Sequence, residues 1–300
     1  MARAVFHPEL RRLGRALPKT VLTPFTLRFV RRVSKLQRRH PPSDVDVVTL
    51  TEGVRVWLFR PAAGSGTTPG LLWIHGGGYL IGSPGQDVEL CRRYARELGA
   101  TVASVDYRLA PEHQYPAALD DCYAALLWLA GLPGVDRSRI AIGGASAGGG
   151  LAAALTQMAH DRGEVQVAAQ LLTYPMLDDR TSQRTDAMKP GMRLWDKGSN
   201  RFGWAAYLGN ADPAVAVPAR RDDLRGLPPA WVGVGTLDLF HDEDLAYAER
   251  LRAAGVPCEV ELVPGAFHGF DGMAPKAEVS RAFFRSQCAM LRRAFTLAAS

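Results

Sequence analysis

The chain has 300 residues, 47% of them hydrophobic, and a formal net charge of +6. That length can bury one large core, and no apolar run approaches the ~18 residues of a membrane span, so a bilayer-spanning protein is excluded as the reading. The charge is uneven: residues 1–40 hold eleven Lys or Arg against Glu9 alone, while the remainder holds 25 basic and 29 acidic groups.

No apolar stretch follows the basic N-terminus, so a secretory leader is not expected. Leu22, Phe25, Phe29, Val30, Val33 and Leu36 instead recur at helical spacing, which predicts a helix packed on the rest of the molecule. An arm made only to hold a nucleic acid or an anionic membrane would not need that stripe, and no nucleic-acid partner is expected. Residues 45–50 and 54–60 then read as a hairpin around Glu52-Gly53. Short apolar runs follow at 71–75, 101–106, 139–143, 167–173, 231–235 and 258–263. Helical segments at 86–98, 117–130, 147–161, 242–254 and 276–297 separate or follow them. This alternation predicts an α/β fold, with a mostly parallel sheet covered by helices on both faces. Between 173 and 231 the rhythm breaks, yet Trp195, Phe202, Trp204 and Tyr207 fall there. A structureless loop of that length is improbable in one domain, so an inserted helical lid is expected. Cys91, Cys122, Cys258 and Cys288 show no metal or C-x-x-C spacing, as suits free thiols in a reducing cytoplasm. Neither a metal nor a cofactor is expected.

The stretch IGGASAGGG, residues 142–150, places one hydroxyl, Ser146, among five glycines. A phosphate cradle would account for glycine, but neither G-x-G-x-x-G nor G-x-x-x-x-G-K-[ST] is present. Gly144-Ala145-Ser146-Ala147-Gly148 does match G-x-S-x-G, after a predicted strand and before a predicted helix. A strained turn there would raise a nucleophile into a cleft. HGGGY, His75–Tyr79, ends an earlier strand, and consecutive glycines let backbone N–H groups approach an oxyanion. His75 reads as a brace for that loop. A serine nucleophile needs a base and an orienting acid. Of seven histidines, His268 lies in PGAFHGF between the last strand and last helix, and it is the final one in the chain. The acid falls in WVGVGTLDLFHDED: Asp238 directly follows the strand, while Asp242, Glu243 and Asp244 open the next helix. Asp238 is the first choice and Asp242 the alternative.

These motifs together resemble the bacterial hormone-sensitive-lipase family of α/β-hydrolase esterases. The matching stretches are HGGGY, DYRLAPEHQYPAALDD (106–121), GGASAGG, GTLDLFHDED and FHGF, in order over residues 45–297. The resemblance implies a serine carboxylesterase acting on esters of short to medium acyl length, with Ser146 as nucleophile, Asp238 as acid and His268 as base. It implies oxyanion donors from the backbones of Gly77, Gly78 and Ala147, with Gly76 as the alternative first contact. It also implies a cap made by residues 1–44 and an insertion at about 178–217, on a catalytic domain of 45–300. Tyr79, Trp204 and Tyr207 are then candidates to line the substrate pocket. A homodimer through the 258–263 edge strand is a further expectation. Tyr107–Glu112 reads as a turn with a buried ion pair. One departure stands out: the family usually has Asp before the serine, where this chain has Ala145. An amidase or peptidase shares the same triad, and a receptor-like relative would lack the catalytic histidine, which is present here.

Overall fold

The computed structural model describes residues 5–37, 41–50, 53–62, 66–184 and 190–298. They form an eight-stranded sheet in the order β1-β2-β4-β3-β5-β6-β7-β8. The strands are β1 (Asp46–Thr49), β2 (Arg55–Phe59), β3 (Thr68–Ile74), β4 (Thr101–Asp106), β5 (Val135–Ala145), β6 (Val167–Thr173), β7 (Ala230–Gly235) and β8 (Cys258–Val263). β1 and β2 pair antiparallel, β2 joins β4 antiparallel, and every later pairing is parallel. The helices are α1 (Arg11–Ala16), α2 (Leu27–Gln37), α3 (Val88–Leu98), α4 (Ala117–Ala130), α5 (Ala147–Arg162), α6 (Lys197–Leu208), α7 (Pro213–Ala216), α8 (His241–Ala253), α9 (Phe270–Met273) and α10 (Glu278–Leu297).

The apolar runs act as the pleat dictates. In β3, Leu72 and Ile74 join the core beneath α4, α5 and α8, whereas Leu71 and Trp73 join the core beneath α3 and α10. Successive side chains on a strand point to opposite faces, so one continuous run supplies two cores. Helix ends follow local chemistry as well: α3 and α5 stop at Gly99 (φ 59°) and Gly163 (φ 66°), left-handed positions that glycine adopts without strain. No helix among the described residues is long and apolar enough to cross a membrane. The four cysteines carry free thiols.

Two expectations need adjustment. β5 begins at Val135, four residues earlier than its apolar run, because Thr68 pairs with Val135 across a register shift. The second concerns the N-terminal stripe. Leu22 and Leu27 are buried and Val30 is half-buried, but Phe25 and Phe29 are exposed at 95% and 69%. The helix is rotated by Arg31, whose guanidinium donates to the carbonyls of Leu80 and Ala110 and pairs with Glu112. With Arg31 inward, positions 25 and 29 face out. Glu52, His40 and the side chains of Val33 and Leu36 lie outside the described residues.

The N-terminal segment crosses two loops. The His7 N–H donates to the Gly265 carbonyl at 2.9 Å, and Phe6 meets Phe267 edge-on with centroids 6.3 Å apart. Leu194 N–H donates to the Pro18 carbonyl at 3.0 Å, and Ser199 Oγ donates to the Leu22 carbonyl at 2.8 Å. Residues 5–22 thus contact both the loop after β8 and the segment that leads into α6.

Candidate active site

Ser146 stands between β5 and α5 with φ 58° and ψ −122°, a conformation that L side chains rarely adopt. Its neighbours have to be small. A Cβ on Gly144 would fall 2.3 Å from the Gly148 carbonyl oxygen, and one on Gly148 would fall 2.1 Å from that of Ile74. The glycines therefore let the first turn of α5 lie directly on the end of β3. Ser146 is fixed on both sides: its N–H donates to the Thr173 carbonyl, and its own carbonyl accepts from Met176, each at 2.9 Å.

The three residues from separate loops meet. Ser146 Oγ lies 2.9 Å from His268 Nε2, and His268 Nδ1 lies 2.8 Å from Asp238 Oδ2. Asp238 Oδ1 accepts the Phe240 N–H at 3.0 Å, which fixes the carboxylate plane. The imidazole is flanked edge-on by Tyr174 and Phe240, with centroids at 4.9 and 5.2 Å. Asp238, His268 and Ser146 are all buried, at 1%, 8% and 6% exposure. The alternative acid is directed elsewhere: Asp242 faces His241 Nδ1 at 2.5 Å and Arg184 at 3.5 Å. Glu243 Oε1 accepts the N–H groups of Leu177 and Asp178 at 2.7 and 3.0 Å, and burial pushes its carboxyl up to about 8. Burial likewise pushes Asp244 well above the usual carboxylate range.

The glycine loop after β3 lies against this group. A Cβ on Gly76 would be 2.9 Å from the Ala145 carbonyl oxygen and 3.3 Å from Ser146 Cβ. His75 is wholly buried; its ring stacks on Tyr107 with centroids 4.3 Å apart, and Tyr107 Oη donates to the His75 carbonyl at 2.9 Å. That is the bracing position expected of it. Tyr79, Trp204 and Tyr207 come together, but against one another: Tyr79 stacks on Tyr207 at 4.0 Å and tilts on Trp204 at 5.3 Å, each ring at most 2% exposed. In the turn read as structural, Arg108 pairs with Asp121 at 2.7 Å; the carboxylate is buried and the guanidinium half exposed.

Leu194 and Trp195 form a roof that only the aromatic character of Trp195 hinted at. The Trp195 indole packs on Gly78, where a Cβ would fall 2.1 Å from its Cη2. Leu194 Cδ1 lies 3.9 Å from the Cβ position of Gly269, the residue after His268. Leu194 has φ 68°, and the Trp195 N–H donates back to the Arg193 carbonyl at 2.8 Å, a tight and strained turn. Asn200 Oδ1 accepts the Trp195 indole N–H at 3.2 Å. The roof thus spans from the glycine loop to the histidine loop. Its backbone turn, set by long-range bonds, has no sequence signature.

Comparison with known proteins agrees with this fold. Residues 71–272 match the family model described as alpha/beta hydrolase fold. The chain belongs to the α/β-hydrolase family. It is 38% identical to the esterase LipI of Mycobacterium tuberculosis over 229 residues, 74% of this chain and 72% of that one. It is 33% identical to an ethyl acetate hydrolase of Pseudomonas putida over 238 residues, 72% of this chain and 70% of the other. A solved bacterial heroin esterase superposes with a TM-score of 0.86 at 37% identity, covering 97% of this chain and 98% of that one. Within the α/β-hydrolases these similarities place it among the carboxylesterases of the hormone-sensitive-lipase group, and it is a carboxylic ester hydrolase.

Proposed function

We propose that this α/β-hydrolase cleaves short to medium acyl esters through an acyl-enzyme on Ser146. The observation that carries the mechanism is the unbroken Ser146–His268–Asp238 chain at 2.9 and 2.8 Å. His268 Nε2 takes the hydroxyl proton as Ser146 Oγ adds to the ester carbonyl. Asp238 holds the Nδ1 proton and steadies the imidazolium. Backbone N–H groups of Gly77, Gly78 and Ala147, with Gly76 beside them, would receive the oxyanion at the start of α5, where the helix dipole favours negative charge. The imidazolium returns its proton to the departing alkoxide, and the alcohol leaves. Water then repeats the sequence on the acyl-enzyme, releasing the carboxylic acid.

Residues 1–44 and about 178–217 act as the cap, with Leu194 and Trp195 its inner surface. Trp195 against Gly78 leaves little room beside the oxyanion position, which favours small acyl groups. The similarity to an ethyl acetate hydrolase points the same way. Tyr79, Trp204 and Tyr207 back the glycine loop from behind. The free thiols suit a reducing, cytoplasmic setting. The test is the rate over p-nitrophenyl esters of graded acyl length, with a p-nitroanilide control and Ser146→Ala alongside. Activity should decline with chain length, spare the anilide, and vanish with fluorophosphonate labelling in Ser146→Ala. A serine variant that keeps more than a few per cent of activity would reject the nucleophile.

A further inference from the structure

Phe25 and Phe29 are the two exposed phenylalanines of the chain's eleven; the other nine are buried or half-buried. Their placement has a local cause. Thr23 and Thr26 cap the start of this helix reciprocally: Thr26 N–H donates to Thr23 Oγ1 at 3.2 Å, and Thr23 N–H donates to Thr26 Oγ1 at 2.9 Å. The Leu27 N–H also reaches the Thr23 carbonyl at 3.0 Å, so Phe25 already lies in the first turn and Phe29 one turn beyond. At about 100° per residue, Leu27, Val30 and Arg31 share one arc of the helix. Phe25, Phe29, Arg28 and Arg32 share the opposite arc, and all four are exposed.

The helix cannot roll to bury those rings. Leu22 and Leu27 are seated in the core, and Arg31 is held at 2.8 Å from the Leu80 carbonyl and 2.6 Å from Glu112. The segment itself carries one sign of charge; of the acids beside it, Glu112 is paired with Arg31 and Asp196 accepts from Thr20. Residues 10–43 contain ten Lys or Arg and no acid, whereas the chain beyond residue 40 has four more acids than bases.

We propose that this outer face of α2 docks on an anionic phospholipid surface. The two rings enter the boundary between headgroups and acyl chains, and Arg28 and Arg32 lie against lipid phosphates. A duplex nucleic acid would satisfy the arginines but gives no reason for two unshielded rings on the same arc, and a single strand, whose bases would stack on them, is separated by the vesicle test below. A second protein would cover the rings but would have to meet a segment without any acid. The position suits an esterase: Arg31, on the inner side of this helix, holds the carbonyl of Leu80, next to the HGGGY loop. Apolar esters dissolved in the lipid would reach the enzyme beside that loop. The inference goes beyond ester hydrolysis and does not depend on the triad.

Vesicle sedimentation of the full chain tests it. Vesicles of phosphatidylcholine alone are compared with vesicles containing about 30% phosphatidylglycerol. We expect binding to the anionic vesicles, weaker as salt rises from about 0.05 to about 0.5 M. The Phe25→Ser/Phe29→Ser and Arg28→Glu/Arg32→Glu doubles should each lose roughly tenfold or more in partitioning. Both should keep wild-type melting and wild-type hydrolysis of p-nitrophenyl acetate. Failure of the wild type to bind anionic vesicles at low salt overturns the proposal, as does undiminished binding by the phenylalanine double. Binding to a DNA oligonucleotide that survives loss of both rings, without vesicle binding, would assign the face to charge alone. Self-association that the phenylalanine double abolishes, without vesicle binding, would assign it to a protein partner.

Discussion

Phe6 gives the sharpest measure of how far the N-terminal segment supports the site. Its ring is 6% exposed, meets Phe267 edge-on, and lies under the Arg193 guanidinium at 5.1 Å. Gly14 presses on it, since a Cβ there would fall 2.7 Å from the ring. Phe267 directly precedes His268, and Arg193 directly precedes Leu194, so one ring touches the His268 loop and the roof. Removing a buried phenylalanine side chain costs about 3–5 kcal/mol. With an unfolding entropy of roughly 2 cal/mol/K per residue, a chain of this length should lose roughly 5–8 °C in Tm for Phe6→Ala. The loop that carries His268 loses an anchor at the same time, so kcat should fall severalfold with any ester if His268 is the base as proposed, because its misplacement is felt steeply. Differential scanning calorimetry and p-nitrophenyl acetate kinetics read the two effects. Val5→Ala, at a side chain 82% exposed, is the control and should change neither. An unchanged Tm in Phe6→Ala would show that residues 5–10 are not docked in solution. A lowered Tm with wild-type kcat would refute the coupling to His268.

Asp238→Asn should depress kcat by orders of magnitude, whereas Asp242→Asn, which faces His241 and Arg184, should change it little; the reverse ranking would exchange their roles. Trp195→Ala should raise the rate with longer acyl esters relative to p-nitrophenyl acetate, and an unchanged ratio would remove Trp195 from the acyl pocket. Glu243 keeps its proton up to about pH 8 in the fold, against about 4.5 unfolded, so its contribution to stability falls as pH rises through that window, by at most about 1.4 kcal/mol per unit. Glu243→Gln should therefore gain in Tm relative to wild type between pH 5 and about pH 8, and a pH-independent difference would refute the raised value. The open edge of β8 should support a dimer that Val260→Pro disrupts, as sedimentation velocity would report.

The sheet was readable because its signals are local. Each of its buried strands is an apolar run a few residues long, and β4, β6 and β8 have the expected ends. The meeting of Ser146, Asp238 and His268 was readable for another reason: each directly follows or lies just beyond a strand, in an order this fold imposes. What could not be read depends on distant partners. Phe25 and Phe29 fit the same helical stripe as Leu22, and only the carbonyls of Leu80 and Ala110, which take Arg31, decide which arc turns inward. The roof has the same character. Leu194 adopts φ 68° because the Pro18 and Gly14 carbonyls hold Leu194 and Arg193 from another part of the chain. Tyr79, Trp204 and Tyr207 are aromatic in either reading, and composition does not separate a pocket wall from the packing behind a loop.

The topology divides the site's work in a way that kinetics can test. β3, β5, β7 and β8 run parallel, so the loops after them emerge at one edge of the sheet. Those loops carry the glycine loop, Ser146, Asp238 and His268, which in the proposed mechanism act on the reacting atoms of every ester alike. Leu194 and Trp195 come from outside the sheet and, in the proposed function, meet only the parts of a substrate that differ. Substitutions among the sheet-edge groups should therefore lower kcat/KM by a similar factor for all acyl lengths. Substitutions at Leu194 or Trp195 should change the ratio between acyl lengths more than the rate with the shortest ester. Measuring both sets over one ester series decides the matter: a sheet-edge variant that reorders the acyl preference, or a roof variant that slows all esters equally, would show that chemistry and selection are not separated as the fold suggests.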